Sequence, residues 1–240
     1  MMAYPIEPKV NNVKHDDATL IEAVVETDDM IATLLRSLDG TQGGTIPFRH
    51  WRFDTALPAK TLVTIAALPF APPVAAAAGR REIINSTRVF FSTETCARFL
   101  VCAAVAATLQ NEIVVERLQA LCDINLGRSF LRIEYCQDTD GFWLEPHTDI
   151  GAKLFTMLIY LSTEGGVEDW GTDLMNPAGN VLVTVPYRAN SGIIFVPGSD
   201  TWHGFRKRTI AGIRRSLIVN YVKPEWRSRH ELAFPDRPIA

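Results

Sequence analysis

Glu145-Pro146-His147-Thr148-Asp149 is the stretch that decides the reading of this chain. In extended backbone, residues i and i+2 point to the same side, so a strand through this run would aim His147 and Asp149 at one point. A third candidate ligand, His203, lies well downstream in Thr201-Trp202-His203-Gly204-Phe205, far enough along to cross several strands and return. Two imidazoles and one carboxylate on one side of a metal ion leave its other coordination positions open, which suits a reactive site better than a structural one. A lone His-x-Asp is common by chance. Its weight here comes from the residues that follow in order.

The next of these is Arg214-Arg215-Ser216-Leu217-Ile218-Val219-Asn220-Tyr221-Val222, beginning eleven residues after His203. It reads as a strand, with Arg214, Ser216, Ile218 and Asn220 on one face. A guanidinium forks onto a carboxylate through two parallel hydrogen bonds, and a neighbouring hydroxyl can add a third. An arginine one strand from a metal therefore suits a ligand with a carboxylate at one end and a chelating group at the other. Arg215 points to the opposite side, and a register shift of one would exchange the two; Ser216 on the same face favours Arg214.

Together, His147-x-Asp149, His203 and Arg214-x-Ser216 resemble the Fe(II)/2-oxoglutarate-dependent dioxygenases, and within them the prolyl-hydroxylase-like branch. The resemblance covers about 130–222, and Pro47-Phe48-Arg49-His50-Trp51 is loosely similar to the start of such a domain. It implies a double-stranded β-helix, or jelly roll. His147, Asp149 and His203 would hold Fe(II). 2-Oxoglutarate would chelate the metal and place its far carboxylate on Arg214, assisted by Ser216 and Tyr135, with O2 taking the last position and ascorbate supporting activity. The implied reaction couples oxidative decarboxylation of 2-oxoglutarate, to succinate and CO2, with hydroxylation of an unactivated C–H bond. In related halogenases the carboxylate ligand is a small residue, so Asp149 favours hydroxylation, or a desaturation or epoxidation variant, over halogenation. Tyr160 would fall on the strand after the motif, as core or support.

The chain of 240 residues, 47% hydrophobic, is long enough for one domain with a sizeable core. The formal net charge of −3 and pI near 6.0 give no sign of a nucleic-acid surface. Arg206-Lys207-Arg208 reads as a solvated turn or as a cationic patch at a pocket mouth. Four cysteines without metal or CxxC spacing fit a reducing cytoplasm, and the apolar run over 97–109 contains Arg98 and is too short to span a bilayer. No feature assigns an oligomeric state.

Residues 1–45 read as an acidic lead-in with one helix over 29–38, capped by Asp28 or Asp29 and followed by a flexible Gly40, Gly43, Gly44 connection. A single oxygenase domain is expected over 46–240. Its elements would be a strand over 48–53, a helix over 58–68, a surface loop over 69–80, a strand over 87–91 and helices over 95–109 and 112–121. Strands are then expected over 130–136, 153–162, 181–186, 192–196 and 214–222. Helices first and strands after make an α+β chain: a jelly-roll core backed by N-terminal helices. Loops over 137–146 and 164–172 are candidate lids or ordinary connections. Arg88 and Trp143 are the candidate substrate contacts, against readings as an edge-strand ion pair and a surface cover. His50 is a weaker candidate, and His15 and His230 read as surface residues. The substrate expected is a small molecule such as an amino acid, sugar derivative or natural-product intermediate. The alternatives are a protein side chain, or a cupin-like metal protein that does not use 2-oxoglutarate.

Overall fold

The computed structural model describes residues 18–74, 78–79, 87–163 and 168–240; His15 lies outside them. Helix α1 (Ala18–Asp39) extends further toward the N-terminus than the expected 29–38. No Gly or Pro interrupts residues 18–29, so Asp28 and Asp29 sit inside the helix rather than capping it. Met30, Leu34 and Leu38 recur every fourth residue and are buried, which docks the helix on the rest of the chain. The glycines after it do not form a loose linker: Gln42–Gly44 is strand β1, at the edge of a sheet.

Pro58 precedes α2 (Ala59–Ala66). Ser92 caps α3 (Thr93–Arg98), its hydroxyl accepting from Thr95 N at 3.3 Å. The helix expected over 95–109 is two helices, because Phe99 takes extended backbone between α3 and α4 (Leu100–Gln110). Asn111 then starts α5 (Glu112–Cys122) by accepting from Ile113 N at 3.0 Å.

A seven-stranded antiparallel sheet runs β1, β2 (His50–Phe53), β10 (Gly192–Phe195), β7 (Lys153–Tyr160), β12 (Arg214–Val222), β5 (Phe130–Asp138), β4 (Val89–Phe90). A five-stranded sheet runs β3 (Ala78–Gly79), β6 (Trp143–His147), β11 (His203–Phe205), β8 (Asp173–Met175), β9 (Val181–Thr184). Its β3–β6 pair is parallel and its other pairs are antiparallel. The expected lid over 137–146 is thus largely strand, while β8 and β11 are three-residue strands too short for the sequence pattern to reveal.

Strand alternation in the large sheet feeds two cores. Leu131, Ile133, Phe155, Met157, Ile159, Leu217, Val219 and Tyr221 pack with the helices. Leu158, Tyr160, Ile193 and Phe195 point the other way and meet Leu174 and Phe205 of the small sheet. The architecture is therefore three layers, helices on one face of the large sheet and the small sheet on the other. No helix among the described residues is long and apolar enough to cross a membrane.

Candidate metal centre

His147 ends β6, His203 begins β11, and the two are direct cross-strand partners. Their ring centroids are 4.3 Å apart. Asp149 completes the group, and candidate ligand atoms of all three lie within 4.8 Å of one another. Asp149 does not reach the site by strand alternation, as the sequence pattern suggested. It lies beyond the end of β6, in the connection to β7, and is held from the β7 side. Lys153 donates from Nζ to Asp149 Oδ1 at 2.7 Å, and Thr156 donates from Oγ1 to Oδ2 at 2.7 Å.

The histidine tautomers follow from the backbone. His147 Nδ1 is 3.0 Å from the Glu145 carbonyl and His203 Nδ1 is 2.9 Å from the Thr201 carbonyl. A carbonyl only accepts, so each Nδ1 carries a proton, and in the neutral ring of that tautomer the lone pair is on Nε2. Two imidazoles in that tautomer and an aspartate are the donor set that Fe(II) or a similar divalent ion takes. Phe195 packs behind His203 at 4.8 Å between ring centroids.

The pairing of β6 with β11 is irregular at this point: His147 faces His203, but Leu144 faces Phe205. Three steps on one strand match two on the other, a bulge that reverses which side chains of β6 point inward. Gly204 sits at the irregularity, where a Cβ would come within 2.7 Å of the Leu144 carbonyl.

Between the sheets lies a narrow cavity of about 40 Å³ whose walls include Asp149 and His203 from the metal group and Arg88, Arg214 and Ser216 from the large sheet side. Arg214 and Asp138 are cross-strand partners on β12 and β5. Arg214 Nη1 donates to Asp138 Oδ2 at 2.6 Å, and its Nε donates to the Trp170 carbonyl at 2.5 Å. Arg88 Nη1 donates to the other oxygen, Asp138 Oδ1, at 2.8 Å. Burial alone would lower the Arg88 pKa, but the charge of Asp138, with smaller contributions from Cys136 and Glu134, holds it above the ordinary arginine value. The Arg88 guanidinium therefore stays charged.

The other sequence candidates do not all converge here. Arg215 pairs with Gln137 on the opposite face of β12 from Arg214 and Ser216. Tyr135, expected to assist Arg214, is on the helix side: it pairs with Leu217 and packs on Phe70 at 5.7 Å. Strand parity decides this, since Tyr135 is an odd number of residues from Asp138 on β5. Trp143 is 38% exposed and lies over Gly79, away from the cavity walls, because the bulge turns Leu144 inward in its place. Tyr160 is fully buried and hydrogen-bonds Thr172 Oγ1 at 2.9 Å. His50 is buried against Gly44, with Nδ1 on the Phe48 carbonyl, and His230 is exposed. Residues 164–167 of the second candidate lid are outside the described set, and Trp170 in its remainder is core, 2% exposed. Arg208 pairs with the buried Asp173, and Arg206 Nε lies 3.8 Å from the same carboxylate.

Asp138, Lys153, Thr156 and the Trp170 carbonyl join the site without belonging to any of its sequence motifs. Asp138 had a signal: Glu134, Cys136 and Asp138 share one face of a strand that is otherwise apolar. The carbonyl had none, since any residue could supply it.

No known family profile matches the sequence, and no curated protein matches it. Solved structures do match in fold. A prolyl-4-hydroxylase from Pseudomonas putida shares 14% identity with a TM-score of 0.50, over 80% of this chain and 92% of that one. An oxidoreductase of the 2OG-Fe(II) oxygenase family from Burkholderia pseudomallei shares 17% identity with a TM-score of 0.50, over 82% of this chain and 90% of that one. A prolyl hydroxylase from Trichoplax adhaerens, in complex with a hypoxia inducible factor oxygen degradation domain peptide fragment, shares 13% identity with a TM-score of 0.50, over 87% and 94% of the two chains. The fold is one found among prolyl hydroxylases and 2OG-Fe(II) oxygenases.

Proposed function

We propose that this chain is an Fe(II)/2-oxoglutarate-dependent oxygenase that hydroxylates an unactivated C–H bond of a small molecule. The observation that carries the reading is one cavity with two different walls: Asp149 and His203 of the His-Asp-His group on one, and Arg214 with Ser216 on the other. Geometry supports the assignment. Arg88 and Arg214 both pair with the single carboxylate of Asp138, and a further carboxylate placed on Arg214 would be held by a charge-assisted hydrogen bond. His147, Asp149 and His203 would hold Fe(II), with Arg214 and Ser216 on the far carboxylate of 2-oxoglutarate. Arg88 then belongs to the cosubstrate end rather than to substrate. When bound, iron, 2-oxoglutarate and O2 supply the oxidising chemistry; the protein binds, orients and excludes water. The facing sheets support a double-stranded β-helix for the domain over 46–240, with α1 docked on it and β1 added at the edge of its large sheet. The four free cysteines support a cytoplasmic setting.

The site lies between two facing sheets, which supports a small substrate over a peptide, since a peptide needs an open groove. The test is succinate formation by iron-loaded protein with 2-oxoglutarate, O2 and ascorbate, against one panel of amino acids, sugars and natural-product intermediates and another of proline-containing peptides. Stimulation by a member of the first panel is expected. Stimulation by peptides alone would move the substrate to a protein side chain. Metal binding with no 2-oxoglutarate binding would make this a cupin-like metal protein.

A further inference from the structure

One rung of the large sheet runs from β5 across β12 to β7 and ends on the metal group. Arg132, Asn220 and Thr156 are successive cross-strand partners along it. All three are buried, at 2%, 0% and 2% exposure. Asn220 Nδ2 donates to Thr156 Oγ1 at 2.9 Å, and Thr156 Oγ1 donates to Asp149 Oδ2 at 2.7 Å. The Asn220 amide cannot be turned over, because its Nδ2 also donates to the Phe155 carbonyl at 3.2 Å, and a carbonyl only accepts. Its Oδ1 accordingly faces Arg132 Nη1, at 3.5 Å. Every bond in the row therefore points the same way, toward Asp149.

That direction has a consequence for a metal ligand. A hydroxyl has one proton to donate. While Asn220 donates into Thr156, the Thr156 proton is left for Asp149, and the carboxylate is held in one rotamer with an acceptor's charge distribution. We propose that Asn220 is a positioning residue for the metal centre, acting through Thr156 on Asp149. Its role is to set the orientation of that hydroxyl; it does not touch metal or substrate. Hydrogen bonds behind a ligand commonly tune metal affinity in this way. The inference rests on reading His147, Asp149 and His203 as a metal site.

The test is equilibrium binding of Co(II), a spectroscopic stand-in for Fe(II), by the full chain in the absence of 2-oxoglutarate. In Asn220→Asp the side chain keeps its size but loses its donor, and Thr156 is drawn to donate toward position 220 instead of Asp149. Co(II) affinity should fall about 10- to 100-fold, as expected for loss of such a contact, with a changed ligand-field spectrum. Thr156→Val should fall by a similar factor, Thr156→Ser should stay within about threefold of wild type, and the double variant N220D/T156V should be no weaker than T156V alone. Should N220D fail to fold, Asn220→Leu, which keeps the volume and offers no donor, supplies the same comparison. Additive losses, or an Asn220 variant that melts earlier yet binds Co(II) with unchanged affinity and spectrum, would overturn the proposal. Wild-type protein that binds no Co(II) at all would instead overturn the metal reading beneath it.

Discussion

Leu217, Val219 and Tyr221 on β12 alternate with Ser216, Ile218 and Asn220, so that neighbouring residues on one strand look into opposite halves of the molecule. The helix side is almost wholly apolar: Leu131, Ile133, Phe155, Met157 and Ile159 join the first set in a continuous core. The opposite side carries Arg132, Glu134, Asp138, Lys153, Thr156, Arg214 and Asn220, all buried. Buried charges cost several kcal/mol each unless paired, and a sheet that needed only stability would not collect them on one face. Here they are paired into Arg88–Asp138–Arg214, Lys153–Asp149 and Glu134–Arg132–Glu231. The contrast separates what stabilises the fold from what the site requires, along the same strands.

Substitutions on the two faces should therefore fail differently. The largest effect is expected from His203→Ala: loss of metal binding and of turnover, with near-UV circular dichroism preserved. Retained metal-dependent turnover would remove His203 from the ligand set. Next, Arg214→Ala should weaken 2-oxoglutarate binding by about 2–5 kcal/mol, the range for breaking a buried charge-assisted pair, while leaving Co(II) affinity in place. Arg214→Lys keeps the charge without the fork and should fall between, as read by calorimetric titration. On the helix side, Leu217→Ala should cost about 2–5 kcal/mol of folding free energy in urea denaturation, with Co(II) and 2-oxoglutarate affinities unchanged. A large affinity loss there would blur the division between the faces.

The smallest effect concerns Cys136, enclosed beside Arg88 and Arg214. Burial pushes its thiol from 9.0 up to about 12, although the two arginines oppose the shift. The folded state thus keeps a proton that the unfolded chain releases from about pH 9. The corresponding stability is complete below pH 9 and is lost as the pH rises from there toward 12. Between pH 8 and pH 10 the wild type should lose more unfolding free energy than Cys136→Ala. Equal losses would mean that the thiol is ionised in the native protein.

Much of the site was legible because period-two alternation is strict within a regular strand. Arg214 and Ser216, on the longest unbroken pattern, could be assigned to one face, with Arg215 on the other. Where the backbone departs from regularity the pattern misleads. Asp149 sits past the end of β6, so its approach to the histidines depends on Lys153 and Thr156, whose sequence separation carries no motif. Trp143 lies away from the cavity, as its surface-cover reading has it, because a bulge between Leu144 and His147 changes parity along β6. Tyr135 is the opposite case: parity relative to Asp138 already put it on the helix side, but the resemblance suggested a tyrosine near the cosubstrate. The short strands β8 and β11 become strands only by pairing with neighbours, a tertiary effect that local sequence does not encode.

Anaerobic titration of Fe(II)-loaded protein with 2-oxoglutarate tests the central claim most directly. A keto acid chelated to Fe(II) gives a weak visible charge-transfer band. The account predicts that the band appears with wild type and that its half-saturation moves to much higher 2-oxoglutarate in Arg214→Ala, with Fe(II) still bound. Protein that binds Fe(II) yet forms no band at saturating 2-oxoglutarate would contradict it.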